Sequence, residues 1–309
     1  MTTSLRHGLA LGAALLIALS INMAALAPGA LAQQPASRSA AAYTQGVLWK
    51  IEGAGAAPSH VFGTIHLADP RVLALPQLVK QTFDTAASFT IEVRFDAANV
   101  VELASRMLFM DGRELPDVIG PPLYAKVAAL APELGLPPEV LRRFKPWAVA
   151  LLIIVPQQDA ENILDNRLYQ MAMEQKKDLY QLETVDEQVA MFEGMAESEQ
   201  IALLRYAVEN RERLRGRMGL MVDAYLRRDL AELLRVSDEG DMNDPAMKRL
   251  NATFMERLLY ERNVVMAKRM EPQLREGRAF IAVGALHLHG ERGVLARLAS
   301  RGYRVTRVY

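Results

Sequence analysis

His60-Val61-Phe62-Gly63-Thr64-Ile65-His66 decides how this chain is read. β-Branched and aromatic residues dominate the run, which favours an extended strand. Asp69-Pro70 stops it, and the residues from Leu75 to Ala86 have the spacing of a helix. A second strand follows at Ser88-Phe89-Thr90-Ile91-Glu92-Val93. Strand, helix and strand in that order imply a parallel pair joined by a crossover. Upstream, Val47-Leu48-Trp49-Lys50-Ile51 is a further strand, separated from the first by the Gly-, Ala- and Pro-rich stretch Glu52–Ser59. That pair reads as a hairpin.

Working outward, the middle of the chain is helical, with apolar residues at helix spacing over 100–110, 124–134, 147–154 and 162–176. Trp147, directly after Pro146, reads as a core anchor. One short strand, Leu179–Glu183, interrupts the helices, and long amphipathic stretches cover 186–235 and 245–275. A strand at 278–283, a helix at 291–300 and a strand at 303–308 close the chain, with Gly302 stopping the helix. The expected class is mixed α/β: a central, partly parallel sheet with a large helical middle region. No repeat and no Pro-rich linker divide residues 43–309, so one domain is expected there.

The first residues point to export. Arg6-His7, an uncharged apolar run from Gly8 to Ala27, Pro28-Gly29 and then Ala30-Leu31-Ala32 follow the order of a signal peptide. The apolar run also approaches the ~20 residues that cross a bilayer, so an uncleaved anchor is the competing reading. The small residues and the polar lead-in 33–42 favour cleavage after Ala32. A periplasmic or secreted chain with no membrane span is then expected. Lys and Arg number 36 and Asp and Glu 36, which gives no basic surface for nucleic acid. Cysteine is absent, removing disulfides, Cys-ligated zinc and a thiol nucleophile. There are five histidines, of which His7 leaves with the signal segment.

Two of the remaining histidines end matching segments, Val61-Phe62-Gly63-Thr64-Ile65-His66 and Ala282-Val283-Gly284-Ala285-Leu286-His287. Each is a strand, a glycine, two intervening residues and a histidine. The crevice beyond strand carboxyl ends is where open α/β sheets bind ligands. A glycine there lets a ligand or backbone come close. Glu92 and Glu183 close two other strands, and carboxylates in apolar runs need partners. Two imidazoles and a carboxylate make a ligand set for a divalent cation with an open position for water. The same residues also read as satisfied histidines and carboxylates paired with Arg or Lys.

A wider set of matches resembles the TraB/GumN family, which includes PrgY and is related to the Tiki proteins. The matches run in order: Gly63-Thr64-Ile65-His66, Ile91-Glu92, Lys145-Pro146-Trp147, Leu182-Glu183-Thr184 with Glu187-Gln188, Glu261-Arg262-Asn263, Val283–Leu288 and Gly302-Tyr303-Arg304-Val305. The resemblance implies one site formed by His66, His287, Glu92 and Arg262, and a metal-dependent protease chemistry like that of Tiki members. His66, Glu92 and His287 would hold the cation: zinc, manganese, cobalt or iron all suit the set. Arg262 would stabilise anionic charge, Glu183 would act as base or support, and Gly63, Gly284, Trp147 and Asn263 would be structural. The expected function is an exported metal-dependent hydrolase, in particular a peptidase. The alternative is an envelope protein that binds a peptide or polysaccharide-related ligand without turnover.

Overall fold

The computed structural model describes residues 42–309 apart from 54, 156–161, 239–248 and 250–251. The expected signal segment 1–32, and the lead-in except for Ala42, lie outside the described residues. So does part of the amphipathic stretch expected at 245–275.

Chain contacts separate the described residues into two compact units. One contains the sheet and comprises 42–94, 162–183 and 219–309; the other is helical and comprises 95–155 and 184–218. In the sheet unit, β1 (Leu48–Glu52) and β2 (Ser59–Thr64) form the expected hairpin, with Leu48 opposite Phe62 and Ile51 opposite Ser59. β3 is Ser88–Ile91, β4 Asp178–Gln181, β5 Ala279–Gly284 and β6 Arg304–Arg307. The strand order is β4-β3-β5-β2-β1-β6, and β4, β3, β5 and β2 run parallel. β1 pairs antiparallel with β2 and β6, so the sheet is mixed as its class requires.

One pairing differs from expectation. β2 and β3 are parallel, but β5 lies between them. The sequence Ala279-Phe280-Ile281-Ala282-Val283-Gly284 has no polar position and is buried throughout. Such a strand is stable only with neighbours on both edges and cover on both faces. Phe62, Phe83, Phe89 and Phe280 meet over this centre, with ring centroids 5.2–6.4 Å apart. Phe83 comes from the helix Gln77–Thr85, which buries Val79 and Phe83 on one face.

In the helical unit, Pro146–Ile154 is buried at every position. Pro146 starts this helix where no N–H partner is required. Trp147 stacks on Phe192 with centroids 5.2 Å apart, so it is the core anchor of this unit. Lys145 and Arg106 both pair with Glu193. Thr184 and Glu187 form a reciprocal capping box at the start of Val185–Glu193. The amphipathic stretch 186–235 is broken into the helices Val185–Glu193, Glu197–Glu209, Arg211–Leu226 and Leu230–Asp238. Among the described residues, no helix is long and apolar enough to cross a membrane.

Candidate functional site

Four adjacent parallel strands end on the same side of the sheet. β2 runs into His66, β5 into a 3-10 turn Ala285–Leu288 carrying His287, and β3 into Glu92. β4 runs into Glu183, whose backbone N–H donates to the Glu92 carbonyl at 2.9 Å. Thr64 pairs with Gly284, so the two Gly-x-x-His segments lie side by side despite their separation along the chain. His66, Glu92, Glu183, Arg262 and His287 are all buried in the sheet unit. The register that pairs apolar strands thus also gathers the polar residues just beyond them.

The two glycines have different roles. A Cβ on Gly63 would lie 2.7 Å from Leu288 Cδ1 and 3.0 Å from Ala285 Cα, so this glycine admits the 3-10 turn. Its carbonyl accepts from the Tyr225 hydroxyl at 2.9 Å. A Cβ on Gly284 would instead lie 3.4 Å from Glu92 Oε1, 3.4 Å from His66 Nε2 and 3.5 Å from His287 Cδ2. The missing side chain leaves a small space lined by the two imidazoles and the carboxylate.

His287 is held through Nδ1, and His66 Nδ1 faces a buried carboxylate. His287 Nδ1 is 2.6 Å from Asn263 Oδ1, while the Asn263 amide nitrogen donates to the Arg292 carbonyl at 2.9 Å. That second bond fixes which end of the amide faces the ring, so Nδ1 donates and Nε2 carries the lone pair. Asn263 therefore positions His287, beyond the structural role expected of it. His66 Nδ1 is 2.7 Å from Asp165 Oδ2, and Asp165 Oδ1 accepts from the Thr64 hydroxyl at 2.6 Å. Burial lowers the His287 pKa to about 3, outweighing the attraction of Glu92, and keeps the ring neutral. Burial also acts to lower that of His66, but the charge and hydrogen bond of Asp165 outweigh it and leave the pKa raised.

Asp165 was not anticipated from sequence. It lies in the first turn of Leu164–Glu174, where Leu164, Asp165, Leu168, Tyr169 and Ala172 are buried. A carboxylate at i, with apolar residues at i+3, i+4 and i+7, was the available signal, because it places the charge on the inward stripe.

Arg262 enters from a helix with a change of pitch. The π-helical segment Glu256–Glu261 passes into Arg262–Arg269, which turns Arg262, Asn263, Met266 and Ala267 inward. Single π turns inside helices recur at functional sites. Arg262 Nε donates to Glu183 Oε1 at 2.9 Å, and Nη2 donates to Glu92 Oε2 and Glu183 Oε2, each at 2.6 Å. Nη1 donates to the Leu258 carbonyl at 2.9 Å. The guanidinium joins two buried carboxylates of the chain itself, so the anionic charge it stabilises, as the resemblance implied, is here that of Glu92 and Glu183.

Glu92 is divided between two environments. Oε2 faces Arg262, while Oε1 accepts from the Gly284 N–H at 2.7 Å and lies 3.8 Å from His287 Nε2. Burial raises its pKa, but Arg262, with help from the histidines and the Gly284 N–H, overrides this and keeps the carboxyl well below the ordinary range. The site thus combines a neutral His287, an ionised Glu92 and a His66 whose charged form Asp165 favours. At the Gly284 position, Glu92 Oε1 and His66 Nε2 come together with the Cδ2 edge of the His287 ring. Among the described residues, no group of three or more His, Asp or Glu side chains is placed so that it could hold a metal ion.

These features define a class: an α/β protein with a buried imidazole–carboxylate site at the carboxyl ends of four parallel strands. The chain belongs to the TraB/PrgY/gumN family, whose model matches residues 47–307. An uncharacterized protein of Treponema pallidum is 26% identical over 271 residues, covering 82% of this chain and 80% of that protein. Metalloprotease TIKI1 of Danio rerio is 25% identical over 298 residues, covering 80% of this chain. The chain spans 60% of that relative's length. Uncharacterized protein YbaP of Shigella flexneri is 23% identical over 239 residues, 75% of this chain and 84% of its own length. No solved structure matches the chain.

Proposed function

We propose that this chain is a metal-dependent hydrolase of the cell envelope that cleaves peptides. The observation that carries the reading is that His66 Nε2, Glu92 Oε1 and the Cδ2 edge of the His287 ring all border the position left open by Gly284. The printed name of the TIKI1 relative, a metalloprotease, supports the same reading. In this proposal His66, Glu92 and His287 hold the cation. A divalent cation supplies a Lewis acid and acidifies water towards a pKa of about 7. Arg262 fixes Glu92 through Oε2, so that Oε1 faces His287 and the Gly284 N–H. Glu183 is bound by both Nε and Nη2 of Arg262, which suits support of that guanidinium better than service as a base. The signal-like segment supports export, with the mature chain beginning at Gln33.

A second reading, capture of a peptide or polysaccharide-related ligand without turnover, is favoured by one observation. Arg262 already spans Glu92 and Glu183, and no group of three or more His, Asp or Glu side chains among the described residues is placed to hold a metal ion. One experiment separates the two. Protein recovered from the envelope fraction is sequenced from its N-terminus and assayed for peptide hydrolysis with Zn²⁺, Mn²⁺, Co²⁺ or Fe²⁺ added. The hydrolase reading expects a start at Gln33 and metal-dependent turnover that Glu92→Gln lowers at least ~100-fold, the scale of losing one group that acts on the transition state. Peptide binding without turnover under every metal would leave the capture reading. A start at Met1 would overturn cleavage after Ala32.

A further inference from the structure

We propose that Asp165 is a positioning residue for the candidate site, fixing His66 as an imidazole protonated on Nδ1 with its lone pair on Nε2. This rests on the metal-site reading above and extends it to a residue that the family resemblance did not supply. Asp165 is 1% exposed, and its two oxygens face two residues of one strand end: Thr64 at 2.6 Å and His66 at 2.7 Å. Thr64 is i−2 to His66, so a single carboxylate fixes both the end of β2 and the ring beyond it. The negative charge of Asp165 beside Nδ1 favours a ring proton on that nitrogen. His66 Nε2 is then the donor turned towards the Gly284 space.

Stability alone does not account for this arrangement. A buried carboxylate with an imidazole partner carries a desolvation cost that an apolar pair would avoid. The other imidazole shows what the position requires. Asn263 serves His287 from 2.6 Å of Nδ1, without a charge. The site therefore contains one carboxylate-backed and one amide-backed histidine. Carboxylate backing makes His66 the more basic imidazole and the stronger donor to a cation. Asp165 lies in the first turn of Leu164–Glu174, where the helix dipole favours its negative charge.

The test uses Asp165→Ala, Asp165→Asn and Thr64→Val in the complete protein. Imidazole nitrogen shifts in the metal-free protein report the His66 tautomer, with Zn²⁺ and Mn²⁺ affinities measured alongside. Five histidines make the assignment tractable. The wild type is expected to show protonated Nδ1, and Asp165→Ala to lose that preference with ~10–100-fold weaker metal binding. Asp165→Asn, whose amide oxygen can accept as Asn263 does, should keep the tautomer and recover most of the affinity. Thr64→Val should fall between them. If the folded Asp165 variants keep the wild-type tautomer and affinity while only the melting temperature drops, the positioning role is overturned. If the wild type binds neither ion, the metal-site reading fails. The nitrogen shifts then still decide Asp165: a tautomer preference lost in Asp165→Ala upholds the assignment, and an unchanged one refutes it.

Discussion

Arg262 shows how much one side chain has to balance. Two carboxylates, Glu92 and Glu183, are buried within hydrogen-bonding distance of the same guanidinium. Burial opposes its charge, but the two carboxylates more than compensate and raise its pKa. Removing it would leave both anions buried without their shared cation. Arg262→Ala should therefore destabilise the fold by about 3–5 kcal/mol, the usual loss when one partner of a buried pair is removed. Arg262→Lys should recover only part of this, because an ammonium cannot reproduce the guanidinium fork. Urea unfolding checks both variants, and a loss below about 1 kcal/mol for the alanine variant would contradict the bridging role. In sequence, Arg262 was readable as an inward residue only through its family match. The helix pattern around it allowed a surface pair equally well, because the π turn that sets its direction leaves no mark in residue spacing.

Between elements, the decisive fit is β2 against the turn after β5. Gly63 admits that turn, with Ala285 Cα 3.0 Å from where a Cβ would stand. Backbone cannot move aside as a flexible side chain can. Gly63→Ala should cost about 1–3 kcal/mol, in line with overpacking in a closed core, and thermal melting would show it. A melting temperature equal to the wild type would mean that the turn is free to shift. The strands were largely legible because their apolar runs are short and bounded by Gly, Pro or charged residues. The neighbour order was less so. An unbroken apolar run marks β5 as buried on both faces, but its place between β2 and β3 depends on which edges the other strands leave available. Glu92 and Glu183 could be flagged because they end apolar strands. Asp165 is not legible at the strand ends, because its carboxylate comes from a helix.

At the scale of the whole molecule, the motif matches divide by role. Lys145, Trp147, Thr184 and Glu187 build the helical unit through ion pairs, stacking and capping. The Gly-x-x-His segments, Glu92, Glu183, Arg262 and Asn263 gather in the sheet unit. Parallel strand order brings them together, since each strand releases its polar residue at the same end of the sheet. The account's central claim is that the space beside Gly284 receives a divalent cation. Gly284→Ala tests it most directly, because the added methyl would sit in ordinary van der Waals contact with Glu92, His66 and His287 while occupying that space. Metal titration of the purified protein, with Zn²⁺ and Mn²⁺ in turn, is expected to give about one ion per chain for the wild type. Gly284→Ala should bind none while melting near the wild-type temperature. Equal binding by the two proteins, or no binding by the wild type, would contradict the account.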